Sequence, residues 1–334
     1  MLRTVRGKMK RILRKAIGGR RQWPLRAATA GLLAWLAIAV SANSSNYVGI
    51  AAAALGPWAC LLAIVLCALA WILGQRRLGA VLTILVLATA IGYRVVPLSG
   101  PEVKSDPKRS LTVLQLNTLL DSASPTAVAQ IVKSQNVDLA VLAETTASFR
   151  PWHNHRLEKL LPHHFAIDAP YPSLGNTIYS RWPILHRWTI QGTTNPTLVI
   201  QVKIGGETVT LVGLRAENPL VNRNQWASDL NTITAWAQSH RNTKNLIVAG
   251  DFNATIGQAP FDALLNRSQL TEVASAVNWP WSRATFPTKP WNTPMMQIDH
   301  TLVSKQFAIQ WVRTYYVRNT DHAATVSGLN LRTK

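Results

Sequence analysis

Gly250-Asp251-Phe252-Asn253 places two side chains suited to catalysis at the end of a predicted strand. The motif follows residues 245–249, an apolar run typical of a buried strand. The C-terminal ends of strands are where α/β sheets place their chemistry. One carboxylate and one carboxamide suit a hard divalent cation and a phosphate oxygen better than a proton relay. Because a Gly-Asp turn after a strand is common, the weight of this motif depends on partners elsewhere in the chain.

Other predicted strands also end in polar residues of the same chemistry, and Asp321-His322 precedes the last predicted strand. The set comprises the acids Glu144, Asp251, Asp299 and Asp321, the amides Asn117 and Asn253, and the imidazoles His300 and His322. A phosphodiester is anionic and repels hydroxide, so its hydrolysis needs a cation. Oxygen ligands select Mg²⁺, Mn²⁺ or Ca²⁺ over zinc. A histidine held by a carboxylate can stabilise charge or move a proton. Together these types indicate a metal–phosphate site.

The elements that must position these residues alternate between strands and helices after residue 110. Strands are predicted over 111–116, 138–143, 176–180, 184–190, 197–204, 208–214, 245–249, 298–303, 308–317 and 325–329, and helices over 125–135, 219–240 and 261–266. Gly205-Gly206 predicts a hairpin, and Arg181-Trp182-Pro183 is expected to interrupt a strand pair. This mixture indicates an α+β or mixed α/β sandwich.

The order of these motifs resembles the endonuclease/exonuclease/phosphatase superfamily, which has the deoxyribonuclease-I-like fold. The matching segments are Gln115-Leu116-Asn117, residues 138–144, Gly250-Asp251-Phe252-Asn253, Ile298-Asp299-His300 and Thr320-Asp321-His322. The resemblance covers residues 111–330, and the chain is similar to bacterial members that carry N-terminal membrane spans. It implies a four-layer αββα sandwich and a metal-dependent hydrolase of phosphate esters, such as a nuclease or another phosphodiesterase.

The resemblance also implies which residues bind the metal. Glu144 resembles the main metal-ligating acid of the family, with Asn117 beside it. Asp321 would be a second acid on the metal side. The expected cofactor is Mg²⁺ or Mn²⁺, between which the sequence does not choose.

The remaining roles implied by the resemblance concern the phosphate. Asp251 would orient or activate the attacking water, and Asn253 would hold a phosphate oxygen. His322 would contact the scissile phosphate and serve in proton transfer or charge stabilisation, while Asp299 would hold His322.

Arg215 is a departure from the family pattern. Many members carry a histidine at this place after the strand, where it contacts phosphate. Arginine can still bind phosphate bidentately, but it cannot act as an acid near neutral pH. A smaller departure is Ala323, where a proline often follows the Asp-His pair. Arg215 supports a second hypothesis, a weakly active or inactive member that binds a phosphorylated or lipid partner.

The N-terminal third differs sharply in composition from the remainder. The chain carries a net charge of +20, yet residues 1–99 hold 13 of the 35 Lys and Arg and none of the 15 acids. Leu25–Ala42, Tyr47–Gly74 and Leu78–Leu98 are predicted to be three transmembrane helices. A cleaved signal peptide is the alternative for the first. The only cysteines, Cys60 and Cys67, lie in this region.

Charge next to the apolar segments predicts the topology. Ten basic residues precede residue 27, and Arg76-Arg77 follow the second segment. By the positive-inside rule, the N-terminus is cytoplasmic and everything after about residue 99 lies outside the inner membrane. The expected divisions are a basic cytoplasmic N-terminus (1–24), three transmembrane helices (25–98), a linker (99–110) and an endonuclease/exonuclease/phosphatase domain (111–334).

Several other features have modest predicted roles. The histidines His153, His155, His163 and His164 match no zinc motif and are expected to be solvated loop or helix residues. His300 is expected to point away from Asp299 and to pack. Trp279, Trp281 and Trp291 indicate a self-packed loop, or alternatively a surface that meets substrate or membrane. The substrate is expected to be nucleic acid or a lipid headgroup, and no obligate protein partner is indicated.

Overall fold

The chain divides into two compact units, Met1–Val95 (unit 1) and Val96–Lys334 (unit 2). The structure, a computed structural model, describes residues 23–96, 106–145, 156–167, 175–290 and 292–332. The basic N-terminus before residue 23, most of the predicted linker, His153, His155 and Trp291 lie outside the described residues. The finer division predicted from the sequence therefore stays a prediction.

The described part of unit 1 is helical. Its helices are α1 (Trp23–Ser41), α2 (Tyr47–Ala54), α3 (Gly56–Ile72) and α4 (Arg76–Gly92). Helices α1, α3 and α4 pack through an apolar cluster that includes Leu32, Ala59, Ala63, Leu66 and Leu82. Alanine at this contact lets helix backbones approach closely.

The prediction of three transmembrane helices is wrong for the described residues, where α1 is the one helix long and apolar enough to cross a membrane. The second predicted span is broken: α2 and α3 meet at an angle of 61°. Pro57 lies in the first turn of α3, where its missing N–H costs no hydrogen bond. A proline at this place cannot continue the preceding helix, so α2 ends before it. Helix α4 has 17 residues, or about 26 Å at 1.5 Å per residue, short of a bilayer core. One such helix near the N-terminus is weak evidence for an anchor, since a signal sequence has the same properties.

Unit 2 contains two six-stranded sheets. Sheet 1 has the order β11-β12-β1-β2-β4-β3, and sheet 2 has the order β5-β6-β7-β8-β10-β9. The strands are β1 (Ser110–Asn117), β2 (Leu139–Ala143), β3 (His163–Ile167), β4 (Asn176–Ser180), β5 (His186–Ile190), β6 (Thr197–Ile204), β7 (Glu207–Arg215), β8 (Leu246–Asp251), β9 (Thr271–Glu272), β10 (Asp299–Val303), β11 (Phe307–Tyr316) and β12 (Ala323–Leu331). Parallel pairing joins β1 to β2 and β7 to β8 at the centre of each sheet.

The two sheets pack face to face around one apolar core. Val113 and Val141 of sheet 1 belong to the same buried cluster as Ile200, Leu211 and Ile247 of sheet 2. Successive side chains of a strand point to opposite faces, so these residues mark the inner face of each sheet. The two-sheet α/β sandwich predicted from the sequence is confirmed.

Unit 2 also contains helices. They are α5 (Pro125–Ser134), α6 (Arg223–Ser239), α7 (Ala259–Ser268), α8 (Val273–Val277) and α9 (Pro280–Arg283). Ser124 caps α5 by accepting a hydrogen bond from the Ala127 amide. Val128 of α5 packs in a second cluster with Leu114 and Leu116, which point outward from β1. This cluster places α5 on the outer face of sheet 1.

Strands β4 and β5 do not pair, although a strand pair was expected there. β4 lies between β2 and β3 in sheet 1, whereas β5 is the edge of sheet 2 beside β6. The Arg181 side chain donates to the Val137 carbonyl, and its Nε atom lies 3.0 Å from Asp138 Oδ1. These contacts hold the end of β4 on sheet 1, so the chain after Pro183 crosses to the other sheet.

Strand β3 occupies a segment whose histidines were expected to be solvated loop or helix residues. His163 and His164 are half-buried and pair with Ser180 and Tyr179 of β4. All five residues of β3 are half-buried. The sequence of β3 also lacks the alternation of apolar and polar residues by which strands are recognised.

Candidate active site

The candidate site forms where the core between the sheets ends and polar side chains continue the same inner faces. On β1, Gln115 and Asn117 follow Val113 at intervals of two residues and therefore share its face. On sheet 2, Arg215, Asp251 and Asp299 lie in register on β7, β8 and β10. The two facing sheets thus bring two sets of side chains to one end of the sandwich. One set is the pair of amides on β1, and the other is the charged row of Arg215, Asp251 and Asp299.

Asn117 joins the two sheets. Its Nδ2 atom donates to Glu144 Oε1 and to Asp251 Oδ2, each at 2.9 Å. Its Oδ1 atom accepts from the Leu119 amide at 2.9 Å. Both amide ends are therefore satisfied, and Asn117 keeps two acids side by side.

Glu144 is buried and its carboxylate receives donors on both oxygens. Oε1 lies 2.9 Å from Arg215 Nε, and Oε2 accepts from the Leu120 amide at 3.1 Å. The backbone of Glu144 has φ of 58°, a left-handed conformation that costs a non-glycine residue energy and is found at functional sites. The hydroxyl of Thr118 holds this turn by donating to the Glu144 carbonyl at 2.8 Å.

Asp299 orients His322 and is itself held from two sides. His322 Nδ1–H donates to Asp299 Oδ2 at 2.8 Å, while Gln115 Nε2 donates to Asp299 Oδ1 at 2.6 Å. The ring of Phe286 packs 4.9 Å from the imidazole. With Nδ1 committed to Asp299, the free edge of the imidazole is Nε2, which lies 3.9 Å from Asp321 Oδ1.

The charges in this pair reinforce one another. Burial alone would lower the pKa of His322, but the charge and hydrogen bond of Asp299, with Asp251 and Asp321, raise that pKa to about 9. Burial alone would raise the pKa of Asp299, but His322 and hydrogen bonds from Thr285 and Gln115 hold it below its ordinary value. His322 is therefore an imidazolium at neutral pH, opposite an ionised Asp299.

The pKa of Asp251 is raised, whereas that of Asp299 is lowered. Burial, followed by the charge of Asp299, raises the pKa of Asp251 to about 6, although His322, Arg215 and Asn117 oppose the shift. Asp251 Oδ1 accepts from the Asn253 amide at 2.8 Å. Asn253 adopts φ of 48° and donates its side-chain amide to the Ala216 carbonyl at 3.0 Å. A carboxyl poised near neutral pH in a buried site suits a general base.

Asp251, Asp299 and His322 form the one described group of three acid, histidine or cysteine residues with all ligand atoms within 4.8 Å of one another. His322 Nδ1 is already committed to Asp299 by a 2.8 Å hydrogen bond, so the carboxylates are the ligands that this group offers most readily. Asp321 offers a further oxygen to a cation, since its Oδ1 atom is buried, has no hydrogen-bond partner and lies 3.9 Å from His322 Nε2. Neighbouring Thr320 donates to the Asn117 carbonyl at 2.9 Å, which ties the segment before β12 to the end of β1.

His300 lies outside this group, as expected from its position next to Asp299 on a strand. Its Nε2 atom lies 2.8 Å from the Ala254 carbonyl oxygen, and its ring packs against Phe261 with centroids 4.3 Å apart. Its Nδ1 atom is 3.4 Å from Glu272 Oε1. His300 thus has a packing role behind sheet 2.

Three residues that hold the site were missed by the sequence-based assignment of roles. Gln115 and Thr285 are hydrogen-bonded to Asp299, and Phe286 packs on His322. Gln115 carried a signal, since it stands two residues before Asn117 on one strand and must share its face. Thr285 and Phe286 precede β10 in an irregular segment, where no periodicity points to the site.

The sequence of unit 2 matches one family model. The description of that model is Endonuclease/Exonuclease/phosphatase family, and the match covers residues 114–322. This chain belongs to the endonuclease/exonuclease/phosphatase family. The matched range begins in β1 and ends at His322, so it includes every residue of the candidate site. No curated protein matches the sequence.

Several solved structures share the fold of unit 2. An endonuclease/exonuclease/phosphatase family protein from Bacteroides thetaiotaomicron has a TM-score of 0.54 at 17% identity, over 67% of this chain and 99% of its own. Truncated TDP2 of Caenorhabditis elegans has a TM-score of 0.54 at 17% identity, over 66% and 97%. Sphingomyelinase C from Streptomyces griseocarneus has a TM-score of 0.51 at 17% identity, over 66% and 99%.

Proposed function

We propose that this chain is a membrane-anchored, divalent-metal-dependent hydrolase of phosphate esters, and specifically a phosphodiesterase. The observation that carries the proposal is the buried meeting of Asp251, Asp299 and His322 within 4.8 Å. It combines a carboxyl of raised pKa with an imidazolium held by a second carboxylate. Family membership supports the reaction class, because enzymes of this family are phosphodiesterases and nucleases.

Asp251 and His322 would divide the work on the phosphate. Asp251, ionised above about pH 6, would accept a proton from the attacking water and orient it. His322 would place its Nε2–H on a phosphate oxygen and stabilise the negative charge that develops there. Asn253 would hold a second phosphate oxygen. Arg215, at the same strand ends, would offer a further cationic contact to the phosphate.

Glu144 and Asp321 would hold the cation, Mg²⁺ or Mn²⁺, with Asn117 beside them. The unpartnered Asp321 Oδ1 atom and an all-oxygen donor set fit these ions. A divalent cation here would neutralise charge on the phosphate ester. Asn117 would keep Glu144 next to Asp251, so that metal and nucleophile act on the same phosphorus.

The substrate classes we propose are nucleic acid and phospholipid headgroups. Sphingomyelinase C among the structural neighbours supports the second class by its name. Helix α1, apolar over 19 residues, supports anchoring. Resistance of the chain to alkaline carbonate extraction tests the anchor, and protease access in spheroplasts tests whether unit 2 lies outside the inner membrane.

Hydrolysis of bis(p-nitrophenyl) phosphate by the detergent-purified full chain tests the activity. We expect turnover with Mg²⁺ or Mn²⁺, none with EDTA, and a loss of at least about a hundredfold for Asp251→Asn and His322→Ala. His186→Ala, at an exposed position on the outer strand of sheet 2, is the matched control and should keep full activity. Unchanged turnover in either site variant would remove that residue from the mechanism.

A non-catalytic member that binds a phosphorylated or lipid partner is the second candidate. The 2.9 Å contact between Arg215 and Glu144 favours it, because a guanidinium already neutralises the acid expected to bind metal. Saturable phosphate-ester binding without turnover in Mg²⁺, Mn²⁺ or Ca²⁺ would select this function.

A further inference from the structure

Arg215 stands in the charged row of the site rather than at its rim. It is the last residue of β7 and lies in register with Asp251, which is in register with Asp299. Its side chain is 11% exposed and that of Glu144 is 8% exposed. The 2.9 Å contact between Arg215 Nε and Glu144 Oε1 is therefore an ion pair largely shielded from solvent, where charges interact more strongly than in water.

The donors around Glu144 leave little free capacity on its carboxylate. Oε1 accepts a hydrogen bond from Asn117 Nδ2 and lies in ion-pair contact with Arg215 Nε at 2.9 Å. Oε2 accepts from the Leu120 amide and keeps one lone-pair direction. A cation at Glu144 must use that direction or displace the guanidinium. In either position it would lie near a charge that cannot be removed by deprotonation.

We infer that Arg215 is a positioning residue that holds Glu144 in place and weakens the binding of a divalent cation to it. The inference rests on the proposed function only for the location of the cation at Glu144. A guanidinium and a divalent ion that share one carboxylate repel each other, and this repulsion costs at least roughly tenfold in affinity. Arg215 thereby partly takes the place of the cation when no metal is bound.

Binding of Mn²⁺ to the full chain in detergent micelles, measured by the electron paramagnetic resonance signal of the free ion, tests the inference without substrate. Arg215→Gln should tighten Mn²⁺ binding at least roughly tenfold, because the repelling charge is gone. Arg215→Lys keeps the charge and should remain within about threefold of the unmodified chain. Arg215→His at pH 8, where an imidazole of ordinary pKa is neutral, is a second neutral variant should Arg215→Gln fold poorly.

Glu144→Gln locates the effect. It should weaken Mn²⁺ binding strongly, and Arg215→Gln added to it should change nothing further. Equal or weaker Mn²⁺ binding in both neutral Arg215 variants would overturn the inference, as would no Mn²⁺ binding by any variant. Tighter binding in the neutral variants without hydrolysis of any phosphate ester would support the inference and defeat the proposed function. Hydrolysis of a phosphate ester, with a Mn²⁺ affinity that does not change when residue 215 is substituted, would support the proposed function and overturn the inference.

Discussion

At the scale of residues, the proposed mechanism requires a deprotonated Asp251 close to a protonated His322. The pKa of Asp251 is raised to about 6 and that of His322 to about 9. Asp251 acts when ionised, so activity should rise as pH increases through about 6. His322 acts when protonated, so activity should fall as pH increases through about 9. We expect a bell-shaped profile of kcat/KM with a plateau near pH 7–8.

Asp299 provides the check on this profile, because its charge raises both pKa values. Asp299→Asn should therefore move both limbs of the profile to lower pH and reduce the maximum. Asp106→Asn, at a half-exposed site in the segment before β1, should leave the limbs in place. A profile for Asp299→Asn with unmoved limbs would show that other groups titrate.

At the scale of elements, the backbone of Gly250 lets β7 and β8 pair up to the site. Gly250 has φ of 150°, and a Cβ atom there would lie 1.9 Å from the Leu214 carbonyl oxygen. A side chain at residue 250 would therefore force β7 and β8 apart beside Arg215 and Asp251. We expect Gly250→Ala to cost roughly 3 kcal/mol of unfolding free energy, as backbone strain and a steric clash act together.

Gly206 is the matched control for this substitution, and urea unfolding is the measurement. It has φ of 85° but no atom within 4 Å of an added Cβ, so Gly206→Ala should cost only about 1 kcal/mol of strain. Equal costs for the two variants would show that the clash is relieved without loss of strand pairing.

How far the sequence predicts these elements depends on what each one buries. β1, β2 and β8 are central and apolar, and their bounds were predicted to within two residues. β3 was missed because an edge strand with all residues half-buried has no periodicity. The sheet to which β5 belongs was missed because a short connection after β4 is compatible with a hairpin or with a crossover. Pairing of distant strands is a tertiary property that local patterns do not contain.

The same limit applies to the site. Asn117, Glu144 and Asp251 were recognised individually because each follows an apolar run, and Asp321 because it precedes the last strand. That Asn117 donates to both Glu144 and Asp251 follows only once sheet 1 faces sheet 2. The ion pair of Arg215 with Glu144 likewise joins strands of different sheets. Sequence therefore indicated the members of the site, whereas their partners are set by the sandwich.

At the scale of the whole molecule, acid stability of unit 2 depends on a buried charge outside the site. Glu272, fully buried, accepts from Gln297 Nε2 at 2.9 Å and caps α8 by accepting from the Ala274 amide. Burial alone would raise the pKa of Glu272, but the hydrogen bond and charge of His300, with Arg283 and Ser275, lower it from 4.5 to about 2. This carboxylate ties β9, β10 and α8 together at the edge of sheet 2.

A pKa depressed in the folded state stabilises the fold above the unfolded pKa and ceases to do so as pH falls through the folded one. Glu272 should therefore contribute roughly 3 kcal/mol at neutral pH, lost between about pH 4.5 and 2. Urea unfolding followed by near-UV circular dichroism should show Glu272→Gln less stable at pH 7 and equal to the unmodified chain near pH 2. Glu207→Gln, whose carboxylate is 35% exposed, should change stability little at either pH. A stability difference for Glu272→Gln that persists unchanged down to pH 2 would mean that packing around residue 272, rather than its charge, holds this edge of the sandwich.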